Sequence, residues 1–137
     1  MPAVTTMNSI VHFEIHATDP EKVVEFYKAL FGWDIKKWEG GSMEYWLVTT
    51  CPKDAPNAIN GGLVRRQGAA PKGGEAVTGY VCTMVVENVD AMLEKAVKLG
   101  GTVALPKMAI PGMAWQAYCK DNDGNIFGLH QTDANAK

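Results

Sequence analysis

The stretch IVHFEIHATDPEKVVEFYKALFGW, residues 10–33, decides the fold. Its first nine residues alternate, which puts Val11, Phe13, Ile15 and Ala17 on one strand face and His12, Glu14 and His16 on the other. Asp19 suits a helix N-cap and Pro20 the first helical position. Val23, Tyr27, Leu30 and Phe31 then recur at i, i+4, i+7 and i+8, one apolar helix face, and Gly32 is a natural C-cap. The reading is strand, then helix, with the helix covering the apolar strand face.

The pattern returns sixty-nine residues later. Asn88 takes the cap, Met92, Ala96 and Leu99 fall on the helix stripe, Gly101 stands where Gly32 stood, and Trp115 answers Trp46. After each helix come three β-like runs, 34–38, 43–50 and 58–66 in the first half and 102–107, 114–120 and 125–131 in the second. Gly40-Gly41, Pro111-Gly112 and Asp123-Gly124 punctuate them. Each half therefore reads β-α-β-β-β: module one at about 8–66 and module two at about 77–132, joined by a polar linker, 67–76. A half of about 65 residues buries little core alone, so the two are expected to form a single domain.

Alternation continues through the other strands. In the strand after the linker, Tyr80, Cys82, Met84 and Val86 are expected on the second helix, with Val81, Thr83 and Val85 facing away. Asn60, Gly62 and Val64 oppose Ile59, Gly61 and Leu63, and Gly128 and His130 oppose Phe127 and Leu129. If the strands curl together, the polar set lines one concave cleft, the place where several segments can build a site.

Composition excludes several classes. The 137 residues are 47% hydrophobic and 20% charged, as in a globular domain, and thirteen basic against fifteen acidic side chains leave a net charge of −2. That balance argues against nucleic acid. Met1 to Ile10 lacks the basic flank and apolar run of an export signal, and no apolar run reaches the roughly 18 residues of a membrane span. Cys51, Cys82 and Cys119 make neither a disulfide framework nor a C-x-x-C motif, which suits reduced thiols in a cytoplasmic protein. Arg65-Arg66 reads as a solvated basic patch, and Cys82, on the helix-covered face, as a buried thiol.

Three stretches carry a family resemblance: Val11-His12-Phe13 through Leu30-Phe31-Gly32, Val85-Val86-Glu87-Asn88-Val89-Asp90 through Gly101, and Asp121-x-Asp-Gly-Asn-Ile-Phe-Gly-Leu. Together they resemble the vicinal oxygen chelate superfamily, which holds glyoxalase I, bleomycin-resistance proteins and extradiol dioxygenases. The resemblance implies an α+β fold of two tandem βαβββ modules in a half-open eight-stranded barrel, one helix per module outside, around a small-molecule pocket, commonly in a homodimer. It also implies one divalent metal held by four positions on the first and last strands of the modules. Here those positions hold His12, Gly62, Val81 and Gly128, of which His12 alone can ligate.

The expectation is therefore a small-molecule-binding protein without the usual metal and without another cofactor. His12, Glu14, His16, Asn60, Gly62, Gly128 and His130 would line its cleft, and Trp46 and Trp115 would stack on a flat ligand. Gln116 is a further amide candidate of undetermined facing, and Met43, Met108 and Met113 suit an adaptable apolar lining. The alternative is a lyase or isomerase, either with a displaced divalent metal on His12, Glu14 and His130 or with Glu14 or His12 moving a proton in metal-free acid–base chemistry.

Overall fold

The computed structural model describes residues 7–41, 43–52, 55–56 and 58–137; the first six residues, read above for an export signal, lie outside it. It forms two compact units, His12–Tyr80 and Val81–Lys137 with the N-terminal segment through Val11.

In the first unit β1 (Ile10–Ala17) leads into α1 (Pro20–Phe31), followed by β2 (Asp34–Lys37), β3 (Trp46–Thr49) and β4 (Asn60–Arg65). The strands lie in the order β2-β3-β4-β1, antiparallel except for the parallel pair β4–β1. The helix starts as its residues dictate: the Asp19 side chain accepts from the Lys22 N–H, and Pro20 occupies the first turn, where no N–H is needed. It stops at Gly32, whose φ of 71° is a conformation that costs glycine least. Ile15 and Ala17 of β1 pack with Val24, Ile35, Trp46, Val48 and Leu63, flanked by Phe13, Val23, Tyr27 and Trp33.

The expected helix face is only half used. Pro20 and Val24, both in the first half of α1, are its buried residues, while Leu30 and Phe31 are 58% and 57% exposed. The core lies under the first turns, and Phe31 instead packs on Trp33, with ring centroids 5.0 Å apart.

The second unit repeats the connectivity. β5 (Val81–Val85), α2 (Val89–Lys98), β6 (Thr102–Ile110), β7 (Ala114–Lys120) and β8 (Ile126–Thr132) lie in the order β5-β8-β7-β6, again with one parallel pair, β5–β8. Asn88 caps α2 by accepting from the Ala91 N–H at 2.9 Å. Val86, Val89, Ala117, Cys119 and Leu129 form the core, with Met92, Leu93, Ala96, Trp115 and Phe127 packed on it. The N-terminal segment adds to β5: Asn8 N–H donates to the Val85 carbonyl and Val85 N–H to the Ser9 carbonyl.

Several expectations need correction. Leu99 caps the helix and is 72% exposed rather than packed, and the left-handed residue is Gly100, φ 100°, rather than Gly101. Gly101 is required for another reason: a Cβ there would stand 2.6 Å from the Lys120 carbonyl. Tyr80 does not join β5 to face α2. It belongs to the first unit, stacked 5.5 Å from Phe13 and donating to the Tyr27 hydroxyl at 2.7 Å, because aromatic partners are available there. β3 begins at Trp46 rather than Met43, and β6 runs on to Ile110, with register shifts around Pro106, which has no N–H for the ladder. The Arg65-Arg66 pair is solvated at Arg65, as expected, and also acts as a clamp: Arg66 donates to the His16 carbonyl and Thr18 hydroxyl, and Arg65 pairs with Glu44 at 2.9 Å.

Pairing register also corrects the internal alignment. Gly62 pairs with Glu14 as Gly128 pairs with Thr83, so these glycines correspond at an offset of sixty-six. Leu63 and Leu129 follow them, and opposite these stand Trp46 and Ala117. The residue answering Trp46 is thus Ala117, not Trp115.

Candidate functional site

In each unit the helix covers one sheet face, and alternation sends the polar residues to the other. On that face of the first unit, Gly62 offers no side chain, and Tyr45 fills the space. An added Cβ at Gly62 would overlap the Tyr45 hydroxyl and ring. The hydroxyl lies 2.9 Å from His12 Nε2, a shared hydrogen bond, and Glu14 sits beside Gly62 in the β1–β4 register. The Tyr45 ring is itself braced edge-on by Trp38 at 6.3 Å, and the Trp38 N–H donates to the Tyr45 carbonyl at 2.7 Å.

Burial holds the His12 imidazole below its ordinary pKa, and the Glu14 carboxylate opposes that by favouring the imidazolium. The Tyr45 phenol is pushed up, first by burial and then by the charge of Glu14. A phenol and an imidazole that resist ionisation, next to a carboxylate, can donate and accept hydrogen bonds to a neutral ligand and can hold or pass a proton.

The second unit builds its counterpart around Gly128. An added Cβ there would meet the Thr83 hydroxyl oxygen and stand 3.0 Å from Gln116 Nε2 and 3.1 Å from the Tyr118 ring. Gln116 is 8% exposed, and its Oε1 lies 2.8 Å from His130 Nδ1. Since a carbonyl oxygen only accepts, the His130 Nδ1–H donates, and the Gln116 NH2 group turns towards Gly128.

The other expected site residues fall elsewhere. Trp46 is 6% exposed and part of the first core, and Trp115 packs on the second core while donating to Asp133 at 2.9 Å. Lys37 and Lys107 stand over these two rings at 5.4 and 4.4 Å. Asn60 spends its side-chain oxygen on the Thr50 N–H at 2.9 Å, closing the loop ahead of β4. His16 shares the β1 face of His12 by alternation, and its carbonyl is held by Arg66. Met43, Met108 and Met113 are exposed. Cys82 is half-buried, whereas Cys119 is fully buried, which pushes its thiol up.

The Asp121-x-Asp-Gly-Asn motif is a turn: the Asp121 carboxylate accepts from Asn125, at its backbone and side chain, and from the Asp123 N–H, bonds that hold its pKa down. Sequence reasoning gave Tyr45 no role within the expected 43–50 run, and the structure places it just before β3. It left Thr83 without a role. Glycine at 62 and at 128 leaves the room that these two side chains occupy.

Comparison with known proteins supplies the family. The model for the Glyoxalase/Bleomycin resistance protein/Dioxygenase superfamily matches residues 9–129. The chain is 29% identical over 124 residues, 88% of its length, to the Mycobacterium bovis protein called "Putative glyoxylase CFP32", and likewise to its Mycobacterium tuberculosis counterpart. It spans 44% of the length of these relatives. The fold is that of a methylmalonyl-CoA epimerase solved with methylmalonyl-CoA and ammonium (TM-score 0.63, 19% identity, 96% of this chain and 99% of that one). The Mycobacterium tuberculosis methylmalonyl-CoA epimerase is similarly alike (0.62, 16%, 97% and 93%). The duplicated module, its strand order and the family match agree: the chain belongs to the glyoxalase/bleomycin resistance protein/dioxygenase superfamily.

Proposed function

We propose that this chain binds a small organic molecule on the polar faces of its modules, and that it does so without the four-ligand metal centre implied by its resemblance. The observation that carries the reading is the Tyr45 hydroxyl, bonded to His12 Nε2 and standing where a side chain from Gly62 would project. His12 keeps its ligand-type nitrogen but spends it on a phenol. Gly62 and Gly128 supply no donor, Val81 supplies hydrocarbon, and Thr83 and Gln116 border the second glycine. That donor set does not suit Zn, Mn or Fe, which need several converging N and O ligands. Metal analysis of protein purified without chelator tests the reading: the expected result is substoichiometric metal, and one tightly held transition metal per chain overturns it. A thermal-shift screen of small aromatic and carbonyl compounds is expected to raise the melting temperature, since a ligand that binds only the folded chain stabilises it.

A second reading, a metal-free lyase or isomerase, is favoured by the trio His12, Glu14 and Tyr45, in which Glu14 acts on the protonation of both neighbours. The names of the relatives, glyoxylase and epimerase, belong to this class of chemistry. Glu14→Gln is expected to abolish turnover while keeping ligand binding, and unchanged activity removes Glu14 from the mechanism. Among the described residues no helix is long and apolar enough to cross a membrane. A cytoplasmic homodimer that binds neither nucleic acid nor membrane completes the proposal, with sedimentation of the purified chain as the check on its dimer.

A further inference from the structure

The recess over Gly128 holds an imbalance that the fold alone does not explain. Thr83 is 2% exposed, and its hydroxyl oxygen is the one buried side-chain polar atom among the described residues without a hydrogen-bond partner. A buried hydroxyl left unpaired costs stability, and the chain could avoid that cost with a valine of the same shape. The hydroxyl lies against the place where residue 128 would carry its Cβ, a place that glycine leaves without a side chain. From the other side Gln116 Nε2 stands 3.0 Å from the same point. With its Oε1 accepting from His130 Nδ1 at 2.8 Å, the carboxamide turns its NH2 group towards this point. Two donors, Thr83 Oγ1–H and Gln116 Nε2–H, thus flank the position over Gly128 that carries no side chain, with no carboxylate or carbonyl acceptor among the atoms nearest to it.

We infer that this recess is an acceptor-oxygen subsite, which takes the carbonyl or carboxylate oxygen of a small ligand between Thr83 and Gln116. His130 is a positioning residue that keeps the amide donor facing in. The inference rests on the small-molecule reading above and adds the chemical group that the ligand must carry. Two donors without a fixed charge recognise a ketone, amide or carboxylate oxygen alike, so the probes must separate these sources.

The test uses the intact chain with formate and acetamide as probes, read by the side-chain amide NMR signals of Gln116 and by melting temperature. At least one probe is expected to shift the Gln116 signals and raise the melting temperature. Formate alone identifies a carboxylate site, acetamide alone a neutral carbonyl site, and both together a site that reads oxygen without regard to charge. Thr83→Val should weaken the effective probe roughly ten-fold while leaving the melting temperature of the free protein unchanged or higher, since it removes an unpaired hydroxyl. Gln116→Glu, which turns a donor into an acceptor, should abolish the response. No shift with either probe, as for a recess that holds only a fixed water, overturns the inference, and so does equal probe affinity in Thr83→Val. Ligands from the thermal-shift screen that bind the wild type and Thr83→Val equally well would overturn the subsite and leave the binding function standing.

Discussion

The two modules use one backbone plan and fill it differently. In both, a glycine on the last strand pairs with a residue on the first, Gly62 with Glu14 and Gly128 with Thr83, and in both a side chain from the neighbouring segment reaches over the glycine. The register that aligns Trp46 with Ala117 also aligns Tyr45 with Gln116, so the two reaching side chains are counterparts. Each then bonds a histidine, His12 in one module and His130 in the other, though these two do not correspond in sequence. The duplication thus preserved the space above a glycine, not the residues around it. A phenol beside a carboxylate makes one face suited to proton handling, and an amide beside a hydroxyl makes the other suited to binding oxygen.

Packing on the helix side is exchanged in the same way. Module one places Phe13 on its first strand, with its ring over Gly61. Module two has Cys82 and Phe127 at the positions just before Thr83 and Gly128. Breaking this exchange should give the largest effect. A Cβ at Gly61 would collide with the Phe13 carbonyl and approach its ring to 2.7 Å, so Gly61→Val is expected to cost about 3 kcal/mol in a urea titration, near the upper end for overpacking. A cost under about 0.5 kcal/mol would mean that the Phe13–Gly61 pairing is not held tightly.

The glycines of the polar faces should separate the modules next. At Gly128 the obstacle is the hydroxyl of Thr83, a β-branched strand residue with few rotamers to escape into, so Gly128→Ala should cost about 2 kcal/mol. At Gly62 the obstacle is the far end of Tyr45, just outside β3, which can swing away, so Gly62→Ala should cost only about 1 kcal/mol, the net value of the lost hydrogen bond to His12. Equal costs at the two sites would erase the contrast between a loop-borne cap and a strand-borne one. Tyr45→Phe isolates the bond itself, with an expected loss of about 1 kcal/mol and an unchanged ring packing against Trp38.

The parts of this plan that were legible in the sequence are those set by neighbours a few residues apart. The caps Asp19 and Asn88, the turn at Gly32 and the alternation of β1 are local, and the structure keeps them. The offset of sixty-nine at the caps becomes seventy-one where Ala117 answers Trp46 and sixty-six at the last strands, because the segments between matched elements differ in length, the loop before β4 being longer than the Asp121 turn before β8. Any residue aligned across that change was misassigned, as Trp115 was. The candidate site suffered more than the fold. Tyr45 reaches His12 across thirty-three residues of chain, and nothing in the local pattern announces where its ring will go. Glycine at 62 and 128 reads from sequence as lost function, whereas in three dimensions it is the room that Tyr45, Thr83 and Gln116 need.

The smallest expected effect is that of acid on His12. Burial lowers the His12 pKa below its ordinary value of 6.5 against the opposing pull of Glu14, so the unfolded chain binds more protons than the folded one between the folded value and 6.5. Stability from this group is therefore complete above about pH 6.5 and is lost as pH falls through the folded pKa. His12→Gln, which removes the titration, should flatten the decline of melting temperature between pH 7 and 5. An acid profile of His12→Gln that matches the wild type would show that the phenol-capped face of module one is not a protonation-sensitive one, and the two modules would then differ in shape alone.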